Sequence, residues 1–167
     1  MHYPEWLPEK VDLNGNWTEK LKFLYEIFQK DFVLNRPHFK DLPIAWDARK
    51  LDGDSFEEGF WHLITQTERS TKERYPDFRR AERLKWCLAT IKNYQDPSIL
   101  HFLYVHSGGR RKVVRTYLWL KEHDYLVILE ERRSSAFLHT AYYLDGPSGK
   151  GAIKRKYEER IKDRRHY

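Results

Sequence analysis

The chain has 167 residues, 34% charged and 16% aromatic, and 31 Lys or Arg against 25 Asp or Glu give it a formal charge of +6. That length fits one domain, 1–167, with a sizeable core, and so many Trp, Tyr and Phe exclude a disordered chain. The basic balance favours an anionic partner, nucleic acid first and an acidic protein second. A single cysteine, Cys87, excludes an internal disulfide or a CxxC metal knuckle, and no window is apolar enough to span a bilayer.

The opening "MHYPEWLPEK" has no apolar run of the signal-peptide kind, so a cytoplasmic protein is expected. In "NWTEKLKFLYEIFQKDF", Asn16 is an N-cap with Glu19 three residues on, and Leu21, Leu24, Phe28 and Phe32 recur at helical spacing. This predicts a helix over 17–33. Pro37, Pro43 and Gly53 break the next stretch, in which "PIAWDAR" reads as a short strand and "KLDGDSFEEG" as a turn. "FWHLIT" (60–65) reads as a short buried strand, and the polar residues 66–75 as a loop.

From Pro76 to about Tyr94 the spacing is helical again, with Phe78, Ala81, Leu84, Leu88 and Ile91 forming an apolar stripe. Arg79, Arg83 and Trp86 fall on a second face of that helix. Cys87 sits between Trp86 and Leu88 and reads as a small core residue. The last third changes period. "HFLYVH", "KVVRTYLWL", "DYLVILEE" and "AFLHTAYYL" are rich in β-branched and aromatic residues, and the short links between them fit an antiparallel meander. Helices first and strands after predict an α+β fold. "GPSGKG" then punctuates. Residues 150–167 hold eight Lys or Arg, Lys154 among them, against three Asp or Glu, and predict a basic C-terminal helix or tail. Such a segment is either a solvated helix or an electrostatic arm for nucleic acid.

No HExxH, no Cys/His cluster and no phosphate-loop spacing is present, so neither a metal nor another cofactor is expected; "GPSGKGA" has no Ser or Thr after its lysine. What remains is histidine, arginine, threonine, tyrosine and glutamate. That set suits RNA cleavage without a metal, because the 2′-hydroxyl is the nucleophile. The enzyme supplies a base, an acid and cations for the phosphate. Histidine serves as either acid or base near neutrality, and arginine grips phosphate with a two-pronged fork. His62 follows Trp61, where a lone histidine is ordinarily structural. Arg79, Arg80 and Arg83 are either solvated helix surface or, with Trp86, a platform for phosphate and base. In "AFLHTAYYL" strict alternation places Phe137, His139, Ala141 and Tyr143 on one side and Leu138, Thr140 and Tyr142 on the other. The sequence leaves open which side reaches a cleft.

Together "FWHLIT", "RRAERLKWCLATIKN", "DYLVILEER" and "FLHTAYYL" resemble a phage- and mobile-element-associated branch of the barnase–EndoU–colicin–RelE class of nucleases, over about residues 40–145. The resemblance implies helices on one face of a curved sheet and metal-independent cleavage of RNA, in a toxin or a conflict between genetic elements. It places catalysis on His62, Arg83, Thr140 and Tyr142, with Arg79 and Trp86 in support; Arg80, His139 and, outside the matched stretch, Lys154 are the further candidates for binding substrate. Glu68 would be a base only if its loop folded back. The expected partners are RNA and, for a toxin, an acidic antitoxin or immunity protein. The alternative is a non-catalytic module that binds single-stranded nucleic acid by stacking and phosphate contacts. The catalytic reading requires the His62 ring, the Arg83 guanidinium and the Tyr142 hydroxyl to surround one phosphate.

Overall fold

The computed structural model describes residues 2–162; the last five residues of the predicted basic segment lie outside them. Asn16 caps α1 (Trp17–Phe28), its side chain accepting from the Glu19 N–H. The helix then widens into a π-helical stretch, Gln29–Leu34, which keeps Phe32 buried. A small hairpin follows, β1 (His38–Phe39) and β2 (Leu42–Ala45).

"FWHLIT" is not a strand. It forms most of α2 (Glu58–Ile64) and ends in β3 (Thr65–Thr67). The physical reason is visible in what is buried: Phe60, Leu63 and Ile64 fall at i, i+3 and i+4. Gly59 lets this helix sit directly on the chain at Trp46–Asp47. A Cβ at that position would lie 2.9 Å from Trp46 Cδ1 and 3.1 Å from the Asp47 carbonyl oxygen. Gly59→Ala is therefore expected to cost about 1–3 kcal/mol in urea unfolding. Gly108→Ala, where nothing stands within 4 Å, serves as the control and should be neutral. Equal midpoints for the two variants would refute the close-approach argument.

The stretch 66–75, expected as a loop, is largely a hairpin of β3 with β4 (Arg74–Pro76). The helix expected over 76–94 is two helices, α3 (Phe78–Glu82) and α4 (Leu84–Lys92), broken at Arg83. Asp77 caps α3 by accepting from the Arg79 and Arg80 N–H groups, each at 3.1 Å.

The predicted meander is present as β5 (Ile99–His106), β6 (Val113–Leu120), β7 (Tyr125–Glu131) and β8 (Ala136–Tyr143). A 3₁₀ turn, Lys121–His123, joins β6 to β7. With the first hairpin the strands form one six-stranded sheet in the order β1-β2-β8-β7-β6-β5, strongly curled and antiparallel except where β2 runs parallel to β8. The fold is thus α+β, helices on a curved sheet. The final helix, α5 (Gly146–Glu158), starts within "GPSGKG" because proline is tolerated in a first turn.

Two cores result. On one face α1, α2 and α4 pack over Leu118, Leu120, Val127, Leu129, Leu138 and Ala141. On the other, Ile153 and Tyr157 of α5 cover Phe102, Tyr117, Trp119 and Leu126. A bulge breaks the alternation in β8: Leu129 pairs with Leu138, but Ile128 pairs with Thr140. The extra residue keeps Leu138 and Ala141 on the helical side and turns His139, Thr140 and Tyr142 away from it. Neither arrangement expected from strict alternation holds.

Candidate active site

The candidate residues separate into three groups. Arg83 and Trp86 belong to the interior. Arg83 is 7% exposed, with its guanidinium 4.1 Å from the centre of the Tyr143 ring and 5.2 Å from that of Trp86. It donates to the Arg79 carbonyl and to Glu82. Trp86 is 2% exposed. The break at Arg83 rotates this arginine inward, so the helical face expected to carry Arg79, Arg83 and Trp86 does not form. Arg79 instead lies outside, paired with Asp145 at 2.6 Å. Tyr143, beneath Arg83, is on the helical side of β8, whereas Tyr142 is on the other. The Arg83 guanidinium and the Tyr142 hydroxyl therefore do not surround a common point.

The second group lies along β8, opposite the edge of α2. His62, Arg80, His139 and Thr140 line one cavity of about 440 Å³. The contacts there are largely structural. Thr140 Oγ1 donates to the His62 carbonyl at 3.2 Å, and Arg80 donates to the carbonyls of His62 and Thr65. The His62 ring stands 3.8 Å from Glu58, whose carboxylate is clasped by Arg74. Burial first, then the Arg74 charge, pushes His62 below the ordinary imidazole range. Tyr142 has the Arg80 guanidinium 5.0 Å from its ring centre. Lys154 is exposed on α5, and Glu68 is exposed in the β3–β4 turn, accepting from Ser70.

The third group was not singled out from the sequence, apart from His139. It occupies the face of the sheet that α5 leaves uncovered. Arg115 on β6 is opposite Tyr104 on β5. It is half-buried, its Nε is inaccessible, and it makes no hydrogen bond or ion pair with any described residue. A histidine stands at each side of its field. His106 Nε2 lies 2.5 Å from the Tyr117 hydroxyl, and Lys156 Nζ donates to that hydroxyl at 3.4 Å. His139 Nε2 lies 3.2 Å from Glu130 Oε1, and Arg132 holds the other Glu130 oxygen at 2.5 Å.

The electrostatics set the proton positions. Burial, then Arg115, Lys156 and His139, pulls His106 down to about 4. Burial and Arg115 also lower His139, against the pull of Glu130. Burial keeps the Tyr117 phenol protonated far above neutrality. Burial works to raise Glu130, but the bonds from Arg132 and His139 hold it below the usual range. At neutral pH both imidazoles are thus uncharged. A Tyr117 that donates to His106 Nε2 leaves the His106 proton on Nδ1. His139 donates from Nε2 to Glu130, which leaves Nδ1 as a free lone pair. The arrangement offers a base, an acid backed by a relay, and a cation with no hydrogen-bond or ion-pair partner among the described residues.

One sequence signal could have found this face. Tyr104, His106, Arg115, Tyr117 and Glu130 sit at alternate positions of three consecutive predicted strands, a polar row on elements otherwise apolar. A further cavity, about 600 Å³, lies elsewhere, between α1 and α4, and no histidine lines it. Among the described residues no group of three or more His, Cys, Asp or Glu is placed to hold a metal ion. No helix among them is long and apolar enough to cross a membrane. Comparison with protein-family models, with curated proteins and with solved structures returns no match.

Proposed function

We propose that this chain is a metal-independent endoribonuclease of the barnase–EndoU–colicin–RelE class, with its reaction centre on the open sheet face rather than at His62 and Arg83. The observation that carries the reading is Arg115, a half-buried guanidinium without a partner among the described residues, flanked by two uncharged histidines. An arginine left so is matched to an anion from outside, and a phosphodiester suits its fork. His139 takes the proton of the RNA 2′-hydroxyl at Nδ1, and Glu130 steadies the imidazolium that forms. The 2′-oxygen bonds to phosphorus and the bond to the 5′-oxygen breaks. His106 gives its Nδ1 proton to that leaving oxygen. Its Nε2 takes the Tyr117 proton, which Lys156 replaces. The products are a 2′,3′-cyclic phosphate and a free 5′-hydroxyl. A toxin role in the cytoplasm, with an acidic neutralising partner, belongs to the same proposal.

The experiment is direct: purified protein is incubated with total RNA in EDTA and the ends are analysed. Fragments carrying 2′,3′-cyclic phosphate are expected. Intact RNA, bound in a salt-dependent way, would instead leave the non-catalytic binding module, for which the exposed basic hairpin tip at Arg110–Lys112 speaks.

The pH profile tests the base. His139 is lowered in the folded protein, so the acidic limb of kcat/KM is expected below pH 6.5, the ordinary imidazole value. Glu130 is the contact that favours the charged ring, so Glu130→Gln should move that limb to still lower pH while slowing cleavage. An unmoved limb would show that Glu130 does not act through His139. The same depression makes acid destabilising: an unfolded imidazole protonates near 6.5, so the stability gained from keeping these rings neutral is present above that value. It is lost as pH falls toward 4, where His106 titrates.

A further inference from the structure

Beyond β8, on the side away from Arg115, two cavities adjoin. The first, about 440 Å³, is bounded by polar side chains only, among them Gln66, Thr67, Arg69, Arg80 and Thr140, and opens beside His139. The second, about 480 Å³, adds Tyr142, Tyr143 and Arg79. Gln66, Arg69 and Arg80 line both and so form their common wall. Each volume falls in the range of single small-ligand sites.

The three arginines are not equivalent. Arg80 is committed to the His62 and Thr65 carbonyls and to Asp77. Arg79 is held by Asp145. Arg69 is exposed and makes no hydrogen bond or ion pair with any described residue, although it stands where the two cavities meet. Around it the chemistry is that of nucleotide recognition. The Thr67 hydroxyl and the Gln66 amide, whose Nε2 also donates to Asp77 at 3.2 Å, offer donors and acceptors to a base edge. Tyr142 carries the Arg80 guanidinium 5.0 Å from its ring centre, a surface on which a base stacks, while Tyr143 already has Arg79 at 5.6 Å and Arg83 at 4.1 Å.

We infer that these cavities are subsites for two successive nucleotides on one side of the scissile phosphate, with the phosphate that links them on Arg69. This rests on the ribonuclease reading of the sheet face and adds the substrate class: a single strand of at least three nucleotides. A duplex would not fit, because its bases are stacked inside the helix and unavailable to separate cavities.

The test compares a dinucleotide with a pentanucleotide that shares its cleavable step. Wild-type kcat/KM should favour the pentamer by about tenfold, the worth of one charge-assisted phosphate contact. In Arg69→Ala that ratio should fall to near one, through KM. A wild-type ratio of one, or a ratio that Arg69→Ala leaves unchanged, overturns the inference while the ribonuclease reading stands. If the wild type cleaves neither, the ribonuclease reading fails, and binding of a 2′-deoxy pentamer by fluorescence anisotropy decides the subsites alone. Arg69→Ala should then bind about tenfold more weakly, with a salt slope shallower by about one. Equal affinity and slope overturn it.

Discussion

An Arg115→Ala variant is expected to lose about a hundred- to a thousandfold in RNA cleavage while melting within a few degrees of the wild type. The size follows from the role. In the proposed centre the guanidinium stands where charge builds on the phosphate, and removing one such donor from a preorganised site costs about that factor. The unchanged melting follows from its lack of partners among the described residues. Arg115 anchors no described residue by hydrogen bond or ion pair, and its buried Nε is unsatisfied, so truncation breaks no internal bond. Arg115→Lys should recover part of the rate only, since an ammonium is a point charge and lacks the fork. A second readout separates this from a merely structural effect. Arg115 lowers both His106 and His139, so its removal should raise both and carry the acidic limb of the pH profile upward. Wild-type cleavage by the alanine variant would remove Arg115, and with it the proposed centre.

The four meander strands and their order were legible because these segments of β-branched and aromatic residues are joined by links too short for anything but hairpins. The N-terminal helix was legible from Asn16 and its spacing. The failures have specific causes. "FWHLIT" is short and apolar, and such runs do not distinguish a buried strand from a buried helix. Its upstream residues Glu57 and Glu58, acidic at what becomes a helix start, were the missing arbiter. Arg83 was placed on a continuous helix face, and a break in the helix at that residue is not written in any proline or glycine. The bulge at His139 is equally silent, because nothing in "FLHTAYY" marks an inserted residue. These two events decide the site between them. One takes Arg83 inside; the other puts His139, Thr140 and Tyr142 on the same side. His139 was therefore found and its partners His106, Arg115 and Tyr117 were not, since their proximity depends on cross-strand register, which local pattern does not fix.

Trp86→Ala should destabilise the protein by about 3–5 kcal/mol, which for a chain of this size is a fall in melting temperature of about 10–15 °C. The indole is 2% exposed and fills the space between α4 and the sheet. Its ring meets Tyr125 edge-on at 5.6 Å and His123 at 6.1 Å, and the Arg83 guanidinium lies over it. Its Nε1 donates to the Pro8 carbonyl at 2.8 Å and so pins the N-terminal segment, which also bonds Glu82 through the Val11 N–H. Truncation empties a large cavity, exposes the Arg83 charge to it and orphans a carbonyl. Trp86→Phe keeps most of the bulk and loses the hydrogen bond, so about 1–2 kcal/mol is expected from it. The platform role for Trp86 predicts the reverse pattern: unchanged melting, with RNA affinity lost. Urea unfolding of both variants, followed by RNA binding at a temperature where each is folded, tells the two apart. Weakened affinity in a fully folded Trp86→Phe variant would return this residue to the substrate.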